Sequence, residues 1–180
     1  EAELELAESF YLQGSYIEAR TAFDTFRDLH PKHLKVDFAT YRIAMSHFKQ
    51  IPPTIDRDLT PAIHAINAFD EFIRAFPSSS YVSDARTKKG EARKRLAEKE
   101  NYVANFYLKN KEYQAARGRF QKILRSFSGL GFDEKALFHV GMCYAEEGNK
   151  EEAKESLNQF IKKHPQSSYA SEAKKILEGL

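Results

Sequence analysis

Apolar residues recur along this chain at intervals of three and four, with polar residues between them, the spacing of helices that bury one face. In 5–31, ELAESFYLQGSYIEARTAFDTFRDLHP, the apolar and small positions are Leu6, Ala7, Phe10, Gly14, Ala19, Phe23 and Phe26, closed by Pro31. The same order returns in 137–165 as Val140, Gly141, Tyr144, Gly148, Ala153, Leu157, Phe160 and Pro165. A third copy runs Val103, Ala104, Tyr107, Tyr113, Ala116, Phe120 and Ile123, with Ser128 where the proline is expected. A second copy is split: Ile43, Ala44 and His47 come first, then Ala65, Phe69, Phe72 and Pro77. Each copy predicts two helices joined by a turn. Gly14 and Gly148 suit the left-handed position just past a helix end. The alanines are small where paired helices cross. Proline, lacking an N–H, stops the second helix.

Two stretches punctuate the copies in nearly the same words, FPSSSYVSDA (76–85) and HPQSSYASEA (164–173). They predict a stop followed by a new start, the serines capping the next helix and an acidic residue sitting in its first turn.

The pattern resembles the tetratricopeptide repeat over essentially the whole chain, although the copies are irregularly spaced. The fold expected is therefore all-α, a tetratricopeptide-repeat superhelix of about four helical hairpins plus a C-terminal capping helix. As one solenoid over 1–180, its repeats fall at about 1–32, 33–77 with an insertion at 50–61, 81–128 and 132–165, with the cap at 167–178.

Two segments depart from a plain array. In KQIPPTIDRDLTPA (49–62), three prolines exclude regular helix, and Thr60 before Pro61 reads as an N-cap followed by the first helical residue. Asp56, Arg57 and Asp58 lie in this loop, either as local salt bridges that fix it or as a partner contact. An arginine between the two carboxylates disfavours a metal there. The second departure is 81–110, free of proline, which predicts a single helix of nearly thirty residues. Its middle, RTKKGEARKR, spreads cations around the helix with glutamates between and after them, read as a solvated face with internal ion pairs or as a surface for anionic lipid or an acidic partner.

Composition narrows the classes without choosing among them. The formal net charge is +2, and aromatic interleaving of the basic stretch is missing, so no nucleic-acid partner is indicated. No apolar run approaches the length that spans a bilayer. The single Cys143 excludes an internal disulfide and should be core. His30 and His33 lack further ligands nearby in sequence and read as a solvated pair, and His47 as a packing residue. SGLGF (128–132) lacks the strand and glycines of a phosphate loop. No nucleophile has a base in context. The expectation is a protein without cofactor, metal or catalytic site.

The succession from DRDLTPAIHAINAFDEF through FPSSSY to LAEKENYVANFY resembles the BamD (ComL/YfiO) family. These are the tetratricopeptide lipoproteins of the outer-membrane β-barrel assembly machinery. The resemblance spans roughly 1–175 and is most specific over 55–113. It implies a non-catalytic scaffold at the periplasmic face of the Gram-negative outer membrane. The implied partners are the POTRA domain of the central β-barrel assembly protein, other assembly lipoproteins and unfolded outer-membrane protein peptides. It also implies a fifth repeat, a lipidated cysteine and a signal peptide ahead of residue 1, so that the membrane is met only through a lipid anchor outside this segment. The family's partner-contacting arginine falls on Arg119, at the edge of the stripe Phe120, Ile123 and Leu124, an edge where an arginine is equally well simply solvated. Arg125 could serve partner contact or its own helix dipole.

Placing the first helices of the hairpins on the repeat pattern turns Tyr11, Leu12, Tyr41, Met45 and Phe48 toward the concave face, joined by Asn105 from the third repeat. This reads either as an aromatic groove for an extended peptide or as packing among the repeats themselves. The lysine–asparagine clamp of some cytosolic tetratricopeptide domains is not reproduced, since Asn105 lacks basic partners in sequence. Other classes remain open: a periplasmic adaptor of the Tol-system cell-division type, which would lack the Asp56–Asp58 loop and the long helix, or a cytosolic peptide-binding co-chaperone.

Overall fold

The apolar periodicity folds as helix throughout. The computed structural model describes residues 1–180 as nine helices and no strand: α1 (Ala2–Leu12), α2 (Tyr16–Leu29), α3 (Val36–Lys49), α4 (Thr60–Ala75), α5 (Val82–Lys109), α6 (Tyr113–Ser126), α7 (Asp133–Glu146), α8 (Lys150–Lys163) and α9 (Ala170–Glu178). They form tetratricopeptide-like antiparallel hairpins in two compact units, Glu1–Leu96 and Ala97–Leu180, and α5 gives its first half to one and its second half to the other.

The units repeat one register of positions, broken by the insertion. Ala19, Phe23 and Gly14 of the first stand 97 positions before Ala116, Phe120 and Lys111 of the second. After the insertion the interval is 88, so that Phe69, Tyr81 and Ala85 match Leu157, Tyr169 and Ala173. The first half of α5 is therefore the counterpart of α9. Ala85 and Ala173 are both fully buried, each where a following helix lies against a hairpin.

Each unit has its own core. In the first, Phe23, Phe26, Phe69 and Phe72 are buried to within 1%, clustered with Ala44, Tyr41 and Met45. In the second, Phe120 and Ile123 pack with Val140 and Cys143, and Phe138, Leu157 and Phe160 pack with Ala173. Burying one such side chain stabilises the fold by about 1.5–3 kcal/mol. The crossing alanines Ala19, Ala65, Ala116 and Ala153 are all fully buried, as close helix approach requires.

The turns inside three hairpins share one geometry. Gly14 and Gly148 take φ of 83° and 79°. After α1, Gly14 N–H donates to Tyr11 O (3.1 Å) and Ser15 N–H to Phe10 O (2.9 Å), the paired bonds of a Schellman motif. In the third hairpin a lysine holds that place: Lys111, at φ 60°, donates to Leu108 O, and Glu112 N–H donates to Tyr107 O.

The serine phrase does more, and differently, than cap. Ser79 and Ser167 stand two residues before the caps of α5 and α9, so neither is an N-cap, and Tyr169 caps α9 without a side-chain bond. Instead each serine hydroxyl accepts from the tyrosine amide two residues on, Tyr81 N–H (3.4 Å) and Tyr169 N–H (3.1 Å). Each then donates back to the preceding hairpin, Ser79 to Asp37 of α3 (2.7 Å) and Ser167 to Glu134 of α7 (2.5 Å). The tyrosine of each phrase stacks on the same helix, Tyr81 on Tyr41 at 4.8 Å and Tyr169 on Phe138 at 4.7 Å between ring centroids. The phrase clamps the end of one hairpin onto its own first helix.

The insertion is irregular but anchored. Leu59 is buried with Ala62 and Ala92, and the Arg95 guanidinium on α5 donates to the carbonyls of Pro52 (3.0 Å) and Pro53. Helix α4 begins at Thr60, which is its first helical residue rather than its cap. The capping acceptor is Asp58, whose Oδ1 takes Thr60 N–H (3.0 Å) and Thr60 Oγ1–H (2.7 Å).

Candidate functional site

Arg119 lies on α6, whose buried stripe is Ala116, Phe120 and Ile123. Its guanidinium donates to Glu100 Oε2 at 3.1 Å, while Lys122 Nζ donates to Glu100 Oε1 at 2.5 Å. Glu100, on α5, is only 11% exposed at its side chain, whereas Arg119 is 40% exposed. A carboxylate removed from water must be paired, and here one buried anion holds two cations that still face solvent. Glu100 was expected to serve ion pairs within the long helix, and it turns to α6 instead. Within that helix Lys88 pairs with Glu91 (3.0 Å), and Lys89 reaches across to Asp70 on α4.

Arg125 is exposed one and a half turns further on. It lines a cavity of about 350 Å³ between α6, α7 and α8, together with Leu124, Tyr144, Glu152 and Glu155. The structure does not bring Arg119 and Arg125 into one site.

Asp56, Arg57 and Asp58 are all exposed on the insertion. A hydrogen bond from Thr54 holds the Asp56 carboxyl below its usual range, and Asp58 is engaged with Thr60. These contacts fix the loop. No group of three or more His, Cys, Asp or Glu side chains is gathered to hold a metal.

Of the six groove residues, Tyr11, Tyr41 and Met45 are buried in the first unit's core, so the expected aromatic groove is closed at these positions by packing among the repeats. Tyr41 donates to Asp84 Oδ2 (2.5 Å); burial, then that bond, pushes its phenol well above the ordinary tyrosine range. Tyr11 lies beneath the Arg42 guanidinium, 4.3 Å from its ring centre, and Arg42 is paired with Glu8. Phe48 is half-buried against Phe69. Leu12 alone is open, at 75% exposure. An accessible hollow of this unit lies one turn away, a cavity of about 510 Å³ between α1 and α3 lined by Leu4, Glu5, Glu8, Leu34, Phe38 and Tyr81.

Asn105, half-buried on α5, has a basic partner that its sequence neighbourhood does not offer. Lys135, in the first turn of α7, donates from Nζ to Asn105 Oδ1 at 2.9 Å. Thirty residues separate the two, and neither belongs to a local motif, so the pairing had no signal in the sequence.

The histidines are structural. His30 and His33 are both exposed, as expected of a solvated pair; His30 also meets Glu3 at 2.6 Å, and both flank Phe26. His47 packs edge-on to His64. Burial pushes the Cys143 thiol up to about 12, so it stays protonated and is no nucleophile.

A family profile named YfiO and described as outer membrane lipoprotein matches residues 1–156. The outer membrane protein assembly factor BamD of Rickettsia prowazekii is 28% identical over 178 residues, covering 99% of this chain and 70% of that protein. The protein of the same name from Neisseria meningitidis serogroup A is 28% identical over 182 residues, covering 96% and 68%. That of Caulobacter vibrioides is 32% identical over 144 residues, covering 80% and 47%.

Proposed function

Because the chain belongs to the YfiO family of outer membrane lipoproteins, we propose that it is a non-catalytic scaffold of the machinery that assembles outer-membrane β-barrel proteins. The observation that carries this reading is the family match over residues 1–156, joined by relatives named as outer membrane protein assembly factors across most of the chain. The helical hairpins suit the role, since each unit presents polar edges and hollows between its helices.

In this reading the protein works at the periplasmic face of the outer membrane. No helix is long and apolar enough to cross a membrane, and attachment is through a lipid. The second unit docks the POTRA domain of the central subunit, with Arg119 reaching a partner carboxylate from its exposed side while Glu100 holds its other flank. Arg125 and the Asp56–Asp58 loop are further contacts for that subunit or for other assembly lipoproteins. Unfolded barrel-protein segments are taken up on the faces bearing Leu12, Phe48 and Asn105.

The test is capture from solubilised outer membranes, comparing the wild type with Arg119→Glu and Arg119→Gln. The expected result is that wild type retains the central β-barrel subunit, the charge reversal loses it and the neutral change weakens it, with helix content by circular dichroism unchanged. Retention by both variants would remove Arg119 from the interface. Capture of Tol-system or cytosolic proteins instead would overturn the assembly role.

A further inference from the structure

Both units carry an arginine in the second turn of a matching helix, Arg20 on α2 and Arg117 on α6, and only the later one is paired. Arg117 donates from Nε to Glu147 Oε1 (2.8 Å) and from Nη2 to Glu147 Oε2 (2.9 Å), so one carboxylate fills a whole edge of the guanidinium. The same guanidinium lies over Tyr144, 4.3 Å from its ring centre, and Glu152 of α8 lines the hollow beside that ring. In the first unit Gln50 stands in the place of Glu147, His47 in that of Tyr144 and His64 in that of Glu152. Around an unchanged arginine, two acids and a phenol have become an amide and two imidazoles.

Nothing in the first unit replaces the lost carboxylate. Arg20 Nε–H is buried and has no acceptor. Gln50 donates its amide to the Ser46 carbonyl of its own helix (2.9 Å). Asp24, one turn beyond Arg20, is held by Arg27 at 3.0 Å, and Arg27 also faces Glu71 at 4.0 Å. The rings of His47 and His64 meet edge to face, 5.4 Å between centroids. Arg20 of α2 and His64 of α4 are the charged groups that bear on His47 from the two helices packed against it. Lys88 of α5 turns instead to the Phe48 ring and to Glu91. Arg20 and His47 are half-buried and His64 is exposed, so the cluster reaches solvent.

We propose that Arg20, His47 and His64, converging from α2, α3 and α4, form a binding site for a phosphate group. A guanidinium edge without an acceptor, beside two imidazoles that become donors on protonation, calls for an anion with several oxygens. A carboxylate saturates the guanidinium edge alone, as Glu147 does for Arg117, and leaves both imidazoles unserved. A tetrahedral phosphate offers an oxygen to each of the three side chains. A metal ion is opposed by the guanidinium, and no third ligand is gathered for it. While the site is empty, protonated imidazoles would repel each other and Arg20; an anion between them removes that opposition, so binding takes up protons and tightens as pH falls. The phosphate is carried either by a soluble ion or by a lipid headgroup, and the two sources separate experimentally.

The test titrates inorganic phosphate into the full chain by calorimetry at pH 5.5 and pH 7.5, with sulfate and acetate in parallel at matched ionic strength. Sulfate keeps its charge over that range, so its pH dependence reports the site alone. Sulfate is expected to bind at least about tenfold tighter at the lower pH, phosphate to bind with it, and acetate to bind at least about tenfold more weakly than either. Gln50→Glu gives Arg20 the internal carboxylate that the second unit has; it should weaken both tetrahedral anions by at least about tenfold while raising the melting temperature in their absence. Arg20→Gln should abolish binding with helix content unchanged. Flotation with phosphatidylcholine vesicles, with and without phosphatidic acid, then separates the sources. Retention that needs phosphatidic acid and is lost in Gln50→Glu assigns the headgroup, and binding of the free ion without retention assigns soluble phosphate. Acetate binding as tightly as sulfate, equal affinities in wild type and Gln50→Glu, or no binding of either tetrahedral anion overturns the site.

Discussion

At the scale of single residues, the most exacting contact is a missing one. Gly141 lies where α7 crosses α8, and a Cβ there would fall 2.7 Å from both Cγ and Cδ2 of Leu157. The matching residue of the first unit is Ala44, fully buried, in the core cluster that includes Phe69, whose place Leu157 takes. A leucine branched at Cγ needs the room that a flat ring does not. Gly141→Ala should therefore destabilise the protein by about 1–3 kcal/mol as an overpacked core position, seen as a lower urea midpoint at unchanged slope. The same change should cost less in a Leu157→Ala background, because the clashing atoms are gone. An unchanged midpoint for the single variant would mean that α8 yields at this crossing. The histidine of the second repeat carries a different consequence. Burial first, then the charges of Arg20 and His64, lower His47 from 6.5 to about 4. Its folded form is thus neutral where the unfolded chain binds a proton. The contribution is complete above pH 6.5 and is lost as pH falls toward 4. The other first helices carry an aromatic ring at this register, Phe10, Tyr107 and Tyr144, so His47→Phe should fit. The melting temperature should drop from pH 7 to pH 4.5, and His47→Phe should flatten part of that drop. The remainder belongs partly to His139, which burial lowers in the same direction. Equal drops in both proteins would remove His47 from the account.

At the scale of elements, hairpin turns were legible wherever glycine marked them and obscure where it did not. The third turn reads Leu-Lys-Asn-Lys-Glu, and nothing in those letters says which residue takes the left-handed conformation. The register of the other turns gives it to Lys111, and the fold imposes φ 60° on a residue with a Cβ. That conformation costs about 1 kcal/mol outside glycine. Lys111→Gly should raise the melting temperature by about 2–4 °C for a chain of this size, and a fall would show that the lysine side chain holds the turn. The serine phrase shows the opposite limit. Its role as a boundary was plain from its repetition, but capping was the wrong chemistry, because the carboxylates that take Ser79 and Ser167 lie 42 and 33 residues earlier. Local signals specify where an element ends; they do not name a partner on another helix.

At the scale of the whole molecule, periodicity made nine helices and their pairing readable, since every hairpin repeats one spacing of small and aromatic residues. The candidate sites were less legible for the same reason. The pattern that puts Tyr11, Tyr41 and Met45 on the inner side of first helices cannot say whether neighbours fill that side, and in the first unit they do. Pairs such as Glu100 with Arg119 or Asn105 with Lys135 join helices whose register is set only on folding. What duplication does imply is energetic locality. Each unit has its own buried clusters, and in a repeat array stability is a sum over units and their neighbours. Phe72→Ala should cost about 3–5 kcal/mol through the cavity it leaves. In native-state hydrogen exchange that loss should appear first in α2, α3 and α4, while amides of α7 and α8 keep more of their protection. Phe160→Ala, its counterpart 88 residues on, should give the reverse order. If either cavity instead speeds exchange equally along the chain, the protein opens as one cooperative body, and its two cores are a repetition of sequence without being separate units of stability.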